Sequence, residues 1–190
     1  WIHGEFLLVD NGKMSKSLGN TYTVSDLKDK GFSAMAYRYM CLNANYRSKL
    51  NFTWEGIKAA QISLDRLLES VSAHKNADDG AKVDEGVVHA FRKDFEDAIN
   101  DDLNIPRALG IAWNAARYAT KSGEIYELLL NMDEVFGLDF AKAEEKTADE
   151  MPTLTPEIEE LIRKRQQARK EKNWRLADEI RDRLSGMGIQ

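Results

Sequence analysis

The chain has 190 residues, 31% of them charged and 43% hydrophobic, with a formal net charge of −5. These totals suit one large or two small globular domains, and no apolar run approaches the roughly 20 residues a membrane helix needs. A single cysteine, Cys41, excludes an internal disulfide and fits a reducing, cytoplasmic compartment. The acid surplus is local. Residues 1–60 carry eight Lys/Arg against five Asp/Glu, residues 61–153 ten against twenty, and residues 154–190 nine against seven. A nucleic acid touching this protein would meet its two mildly basic ends and be repelled by its centre.

Trp1 to Val9 reads as a strand, and an opening inside a strand suggests a piece of something longer. Asp10-Asn11-Gly12 is a turn. Lys13-Met14-Ser15-Lys16-Ser17-Leu18-Gly19-Asn20 then forms a loop with two lysines three apart and serines and a glycine around them. Such a cationic loop can close on a polyphosphate and stabilise the charge that develops as a phosphate bond breaks. The alternative is a solvated surface turn.

Ser25 is expected to cap a short helix ended by Gly31, and Ser33 a second one through about Leu42. Cys41 falls on the apolar side of that second helix as a small buried residue, without a neighbouring base to activate it. Arg47 follows the helix. Its guanidinium can reach a phosphate, or it can serve as a structural ion-pair partner.

Thr53 caps a long helix whose stripe is Ile57, Ala60, Ile62, Leu64, Leu67, Leu68 and Val71. After a loop at 75–82, a second long helix runs from Val83 to about Asn100. The acids Asp94, Glu96, Asp97, Asp101 and Asp102 match no calcium-loop spacing and read as a solvated face. Asn104 and Pro106 start a helix expected to reach Lys121, where Ser122-Gly123 stops it. Glu124 to Val135 is a fourth helix, and the short connections suit a bundle.

A linker follows. Thr155-Pro156-Glu157 then begins a helix to about Lys172, and Asn173 caps a last one, Trp174 to Leu184. Trp174 and Asp178 share a helix face, with Arg169 across the junction. An indole can stack an unpaired base, a carboxylate can accept from a base's amino group, and an arginine can grip guanine. The same residues also suit a packed aromatic beside a surface charge pair.

Lys13-Met14-Ser15-Lys16-Ser17 would arise by chance in a chain this short in about one case in ten thousand. It resembles the signature loop of class I aminoacyl-tRNA synthetases. The resemblance implies ATP binding by Lys13, Met14, Ser15, Lys16 and Ser17. Lys16 would make the direct catalytic phosphate contact and Lys13 would support it.

Four further motifs, in order and spacing, resemble the cysteinyl-tRNA synthetase family over essentially the whole chain. They are Trp1-x-His3, Tyr46-Arg47-Ser48, the run Asp101 to Leu109, and Ala168-Arg169 … Trp174 … Ala177-Asp178 … Arg181-Asp182. Asn45 departs from the family, which usually has His there.

The resemblance implies ATP-dependent ligation of cysteine to tRNA(Cys) through a cysteinyl-adenylate, with Mg²⁺ accompanying ATP. It puts Arg47 on the tRNA, and Arg169, Trp174 and Asp178 at its GCA anticodon. Trp1 and His3 resemble residues near the active-site floor. The family also has a His-x-Gly-His nucleotide signature and a zinc ion. His3, His74, His89 and Cys41 lack zinc-ligand spacing, so the fragment alone is expected to be inactive.

The expected fold is mainly α. A short β/loop remnant of a class I catalytic domain spans 1–52, an antiparallel helical bundle 53–137, a linker 138–154, and a C-terminal helical hairpin 155–190. Two other readings stand beside this one. A related cysteine:amino-sugar ligase of thiol biosynthesis shares the loop, but the basic Arg163–Arg183 hairpin argues against it. A non-catalytic helical RNA-binding module leaves the intact loop unexplained.

Overall fold

The computed structural model describes residues 1–77, 82–143, 160–161, 163–165, 173 and 175–180. The chain divides into two compact units, Trp1–Glu145 and Lys146–Gln190.

The first unit opens with a three-stranded sheet. β1 (Leu7–Val9) lies at its centre, antiparallel to β2 (Gly12–Lys13) and parallel to β3 (Leu50–Phe52). Leu8 faces Lys13 on one side and Asn51 on the other. The β1–β2 turn uses Asp10 and Asn11 at φ 49° and 60°, a conformation short polar side chains tolerate. The strand expected from Trp1 begins only at Leu7, because a paired neighbour is available from Leu7 onward. Trp1, Ile2 and Phe6 are exposed.

α1 (Val24–Asp29) starts one residue before the expected Ser25 cap. Its cap is Thr23, which forms a reciprocal box with Asp26: Thr23 N–H donates to the Asp26 carboxylate at 2.6 Å, and Thr23 Oγ1 accepts from Asp26 N–H at 3.3 Å. α2 (Ala34–Leu42) begins at Ser33 as the sequence suggests, with Ser33 Oγ accepting from Ala36 N–H at 3.0 Å. α3 (Trp54–Lys75) is capped by Thr53. Ile57, Leu64, Leu67 and Val71 form its buried stripe, while Ile62 lies off that stripe and is exposed.

α4 (Glu85–Asn100), α5 (Ile105–Ala116) and α6 (Gly123–Phe136) complete the bundle with α3. α5 buries Ala108, Ala112, Ala115 and Ala116, small side chains that let α4 and α6 approach closely. α6 supplies the bulk: Ile125, Leu128, Leu129, Met132 and Phe136 are all buried. Phe136 meets Phe95 of α4 edge-on, with ring centroids 5.4 Å apart.

α5 stops at Ala116 rather than Lys121, and side chains take its last carbonyl and one just beyond it. Lys121 Nζ donates to the carbonyls of Ala116 and Tyr118, both at 2.9 Å. His74, fully buried at the end of α3, joins them: Nε2 lies 3.0 Å from Ala116 O and Nδ1 accepts from Ser122 N–H at 3.2 Å. These partners fix the Nε2–H tautomer. Ser122 does more than stop one helix, since its Oγ caps α6.

The core extends past α6. Asp133 accepts from Leu138 N–H at 2.7 Å and Phe140 N–H at 2.8 Å, and Leu138, Phe140 and Ala143 are buried. Residues 138–143, read from sequence as the start of a linker, are therefore packed.

In the second unit, residues 160, 161, 163–165 and 175–180 are helical, with Leu161, Ala177 and Ile180 buried. Asn173 caps the last stretch, its Oδ1 accepting from Leu176 N–H at 3.3 Å. The expected helix start at Thr155-Pro156-Glu157 lies outside the described residues.

Candidate functional site

The two-lysine loop is built on β2. Lys13 ends the strand and points to solvent, while Met14 turns inward and packs against the core. Together with Leu7, Tyr22, Leu27, Tyr37 and Phe52, Met14 lines a small apolar pocket. Tyr22 is itself braced by Trp54 at 5.0 Å between ring centroids. An apolar anchor thus stands between two exposed cations.

Ser15 starts a single 3₁₀ turn, Lys16–Leu18, and its Oγ accepts from Leu18 N–H at 3.3 Å. Ser17 Oγ lies 3.1 Å from Ser15 Oγ. Gly19 ends the turn at φ 65°, a left-handed conformation that suits glycine. Lys16 and Ser17 are exposed at the tip, and among the described residues neither Lys13 nor Lys16 forms an ion pair. Two uncommitted ammonium groups on an ordered turn are what a polyphosphate ligand requires. Asn20 closes the loop: its Oδ1 accepts from Ser15 N–H at 2.8 Å and its Nδ2 donates to Lys13 O at 3.0 Å.

Arg47 makes the structural ion pair that was one of its two readings. Nε and Nη2 donate to Asp102 Oδ2 and Oδ1 at 2.7 and 3.0 Å. The Tyr46 hydroxyl donates to the same carboxylate at 2.7 Å, and the guanidinium lies over the Tyr46 ring, 4.9 Å from its centroid. The Arg47 guanidinium, and after it the Tyr46 hydroxyl, pull the Asp102 carboxyl down to about 2. Asp102 sits in the α4–α5 turn, where it and Leu103 both have positive φ, 54° and 53°.

A cavity of about 360 Å³ opens nearby, lined by Ile2, Glu5, Cys41, Leu42, Tyr46 and Leu103 among others. Cys41 is half-buried rather than fully buried because its helix face borders this cavity. Burial still pushes its thiol pKa up, which opposes nucleophilic character. Trp1 and His3 are exposed. The acidic set is partly paired: Asp97 with Lys93 and Asp101 with Arg107, besides Asp102 with Arg47.

Among the described residues no group of three His, Cys, Asp or Glu could hold a metal ion, so the zinc implied by the resemblance does not fit them. No described helix is long and apolar enough to cross a membrane. Arg169 and Trp174 lie outside the described residues. Asp178 is exposed on the 175–180 helical stretch.

Sequence reasoning missed Asn20, whose signal was its place just after the glycine that reverses the chain. It also gave Asp102 no separate role, although the run from Asp101 to Leu109 had been singled out.

Residues 1–62 match the family model "tRNA synthetases class I (C) catalytic domain". The lysine-pair loop lies within that matched segment. Residues 151–190 match the model "Cysteinyl-tRNA ligase anticodon binding domain". Three curated relatives span the chain. Cysteine--tRNA ligase 1 of Burkholderia lata is 38% identical over 99% of this chain and 38% of its own length. The cysteine--tRNA ligase of Brachyspira hyodysenteriae is 37% identical over 100% and 43%, and that of Idiomarina loihiensis 35% over 100% and 42%. Two segments of the chain thus match class I synthetase and cysteinyl-tRNA ligase domain models, and the whole chain is similar to cysteine--tRNA ligases. It spans less than half the length of these relatives.

Proposed function

We propose that this chain works as part of an ATP-dependent ligase that joins cysteine to tRNA(Cys), in the cytoplasm, and that the lysine loop serves the first step. A cysteine carboxylate oxygen forms a bond to the α-phosphorus of ATP. The bond from that phosphorus to the bridging oxygen of pyrophosphate breaks, and the electron pair leaves with pyrophosphate. Charge therefore builds on the leaving group, where Lys16 and, behind it, Lys13 supply positive charge. Met14, Ser15 and Ser17 hold the loop in shape, and Mg²⁺ travels with the nucleotide as part of the substrate. In the second step a terminal ribose hydroxyl of the tRNA attacks the acyl carbon and AMP leaves.

The carrying observation is the pair of exposed lysines on an ordered, side-chain-clasped turn, inside residues that match a synthetase catalytic-domain model. Zinc, where it is bound, needs ligands other than the described residues. In this reading residues 1–52 end a catalytic domain, 53–137 form a bundle that 138–143 extend, a linker follows, and 155–190 carry the anticodon-reading hairpin. Arg47 meets the tRNA backbone, and Arg169, Trp174 and Asp178 meet anticodon bases. The 190 residues alone form no cysteinyl-adenylate.

The test is tRNA binding by a family-length chain before and after deletion of residues 154–190. Loss of tRNA(Cys) binding with cysteine activation retained supports the reading. Equal binding after the deletion overturns the assigned hairpin role and favours the amino-sugar ligase.

A further inference from the structure

We propose that Asn20 is a positioning residue: its side-chain amide clasps the neck of the lysine loop and sets where Lys16 stands. The geometry is specific. In an extended chain the carbonyl of one residue and the N–H two residues on point to the same side. A neighbouring parallel strand satisfies such a pair from one residue, which donates to the first and accepts from the second. Asn20 does this with its side chain, donating Nδ2–H to Lys13 O at 3.0 Å and accepting Ser15 N–H on Oδ1 at 2.8 Å. The two bonds bracket Met14, the loop's apolar anchor.

The rest of the loop is arranged to bring Asn20 to that place. β1 holds β2 as far as Lys13. Beyond it the ladder stops, and Asn20 continues the pairing. Ser15 Oγ caps the 3₁₀ turn, and Gly19 at φ 65° turns the chain back toward the neck. Lys16 is thus the tip of a ring whose closure is two hydrogen bonds from one amide. With the clasp broken, the tip loses its fixed distance from the strand, while Met14 still anchors one side.

A clasp of this kind acts on rate more than on substrate affinity. The charge Lys16 meets appears only as pyrophosphate departs, so misplacing its ammonium weakens the transition state selectively. That consequence rests on the proposed function, whereas the clasp itself does not. The two are separable by experiment.

In the 190-residue chain, Asn20→Ala should speed hydrogen exchange at the Ser15 amide by about tenfold or more, with the thermal midpoint nearly unchanged. Trypsin should also cut faster after Lys13 and Lys16. Unchanged Ser15 exchange overturns the clasp. In a family-length chain, Asn20→Ala should lower kcat of cysteine-dependent ATP–pyrophosphate exchange by about ten- to a hundredfold at unchanged KM for cysteine. Near-isosteric Asn20→Asp, which keeps an acceptor for Ser15 but sets an oxygen against Lys13 O, should also lower kcat. Wild-type kcat in both variants overturns the positioning role. If Lys16→Ala still cuts the rate, the function itself stands. If Lys16→Ala is also silent, both fall.

Discussion

Asp102 holds Arg47 through two parallel hydrogen bonds, 2.7 and 3.0 Å long, across 55 residues of chain. The fork-to-fork geometry fixes direction as well as distance. It ties the segment after α2 to the turn between α4 and α5. Both partners remain over half exposed, so water screens the pair and its worth lies in orientation. A phosphate reaching Arg47 would compete with a carboxylate already seated on it. Asp102→Asn should therefore strengthen binding of tRNA or heparin at low salt, and Arg47→Ala should weaken it and flatten its salt dependence. Equal salt slopes for Arg47→Ala and the parent would show that Arg47 takes no phosphate.

The same pair predicts an acid response. The Asp102 carboxyl is lowered from 3.8 to about 2 in the fold, chiefly by Arg47 and then by Tyr46. Its contribution to stability, small because water screens the exposed pair, is full above about pH 4 and is lost as pH falls toward 2. Denaturant titrations of the parent and Asp102→Asn should differ at neutral pH, and the difference should shrink below pH 4. A constant gap from neutral pH to pH 3 would contradict the assignment.

His74 predicts a response nearer neutrality. Burial first, and the Lys121 ammonium second, push its pKa below 6.5, while its two ring nitrogens serve Ala116 and Ser122 in the neutral form. The unfolded chain takes up a proton that the folded chain refuses. Stability is therefore full above about pH 6.5 and falls as the solution is acidified toward the lower folded pKa. The thermal midpoint should drop from pH 7.5 to 5.5, and His74→Gln should flatten that drop. An equally steep drop in His74→Gln would place the response elsewhere.

Gly137 has φ 61°, and a Cβ built there would lie 2.8 Å from Arg38 Nη2. Arg38 is held there because its Nε donates to Phe136 O at 2.5 Å, closing the end of α6 onto α2. Gly137→Ala should cost about 1–3 kcal/mol in denaturant unfolding through strain and displacement of Arg38. Arg38→Ala should relieve part of that cost, making the double variant less than additive.

Much of the fold was legible because caps and apolar spacing are local. Ser33, Thr53, Asn104 and Asn173 start helices where the sequence put them. The misses have non-local causes. α5 ends early where His74, from a different helix, and Lys121 both take its last carbonyl, that of Ala116. Residues 138–143 pack because Asp133 captures their amides. Thr23 outcompetes Ser25 because Asp26 completes a box that Ser25 lacks. In the candidate site the lysines were readable as a motif. The clasp by Asn20 and the pairing of Arg47 with Asp102 need the chain folded before they exist.

The most direct test is cysteine-dependent ATP–pyrophosphate exchange by a family-length chain carrying Lys16→Ala. Removing a cation aimed at the departing pyrophosphate should lower kcat by about a hundred- to a thousandfold while KM for cysteine stays within a few-fold. A kcat equal to that of the parent chain would contradict the claim that this loop handles triphosphate chemistry.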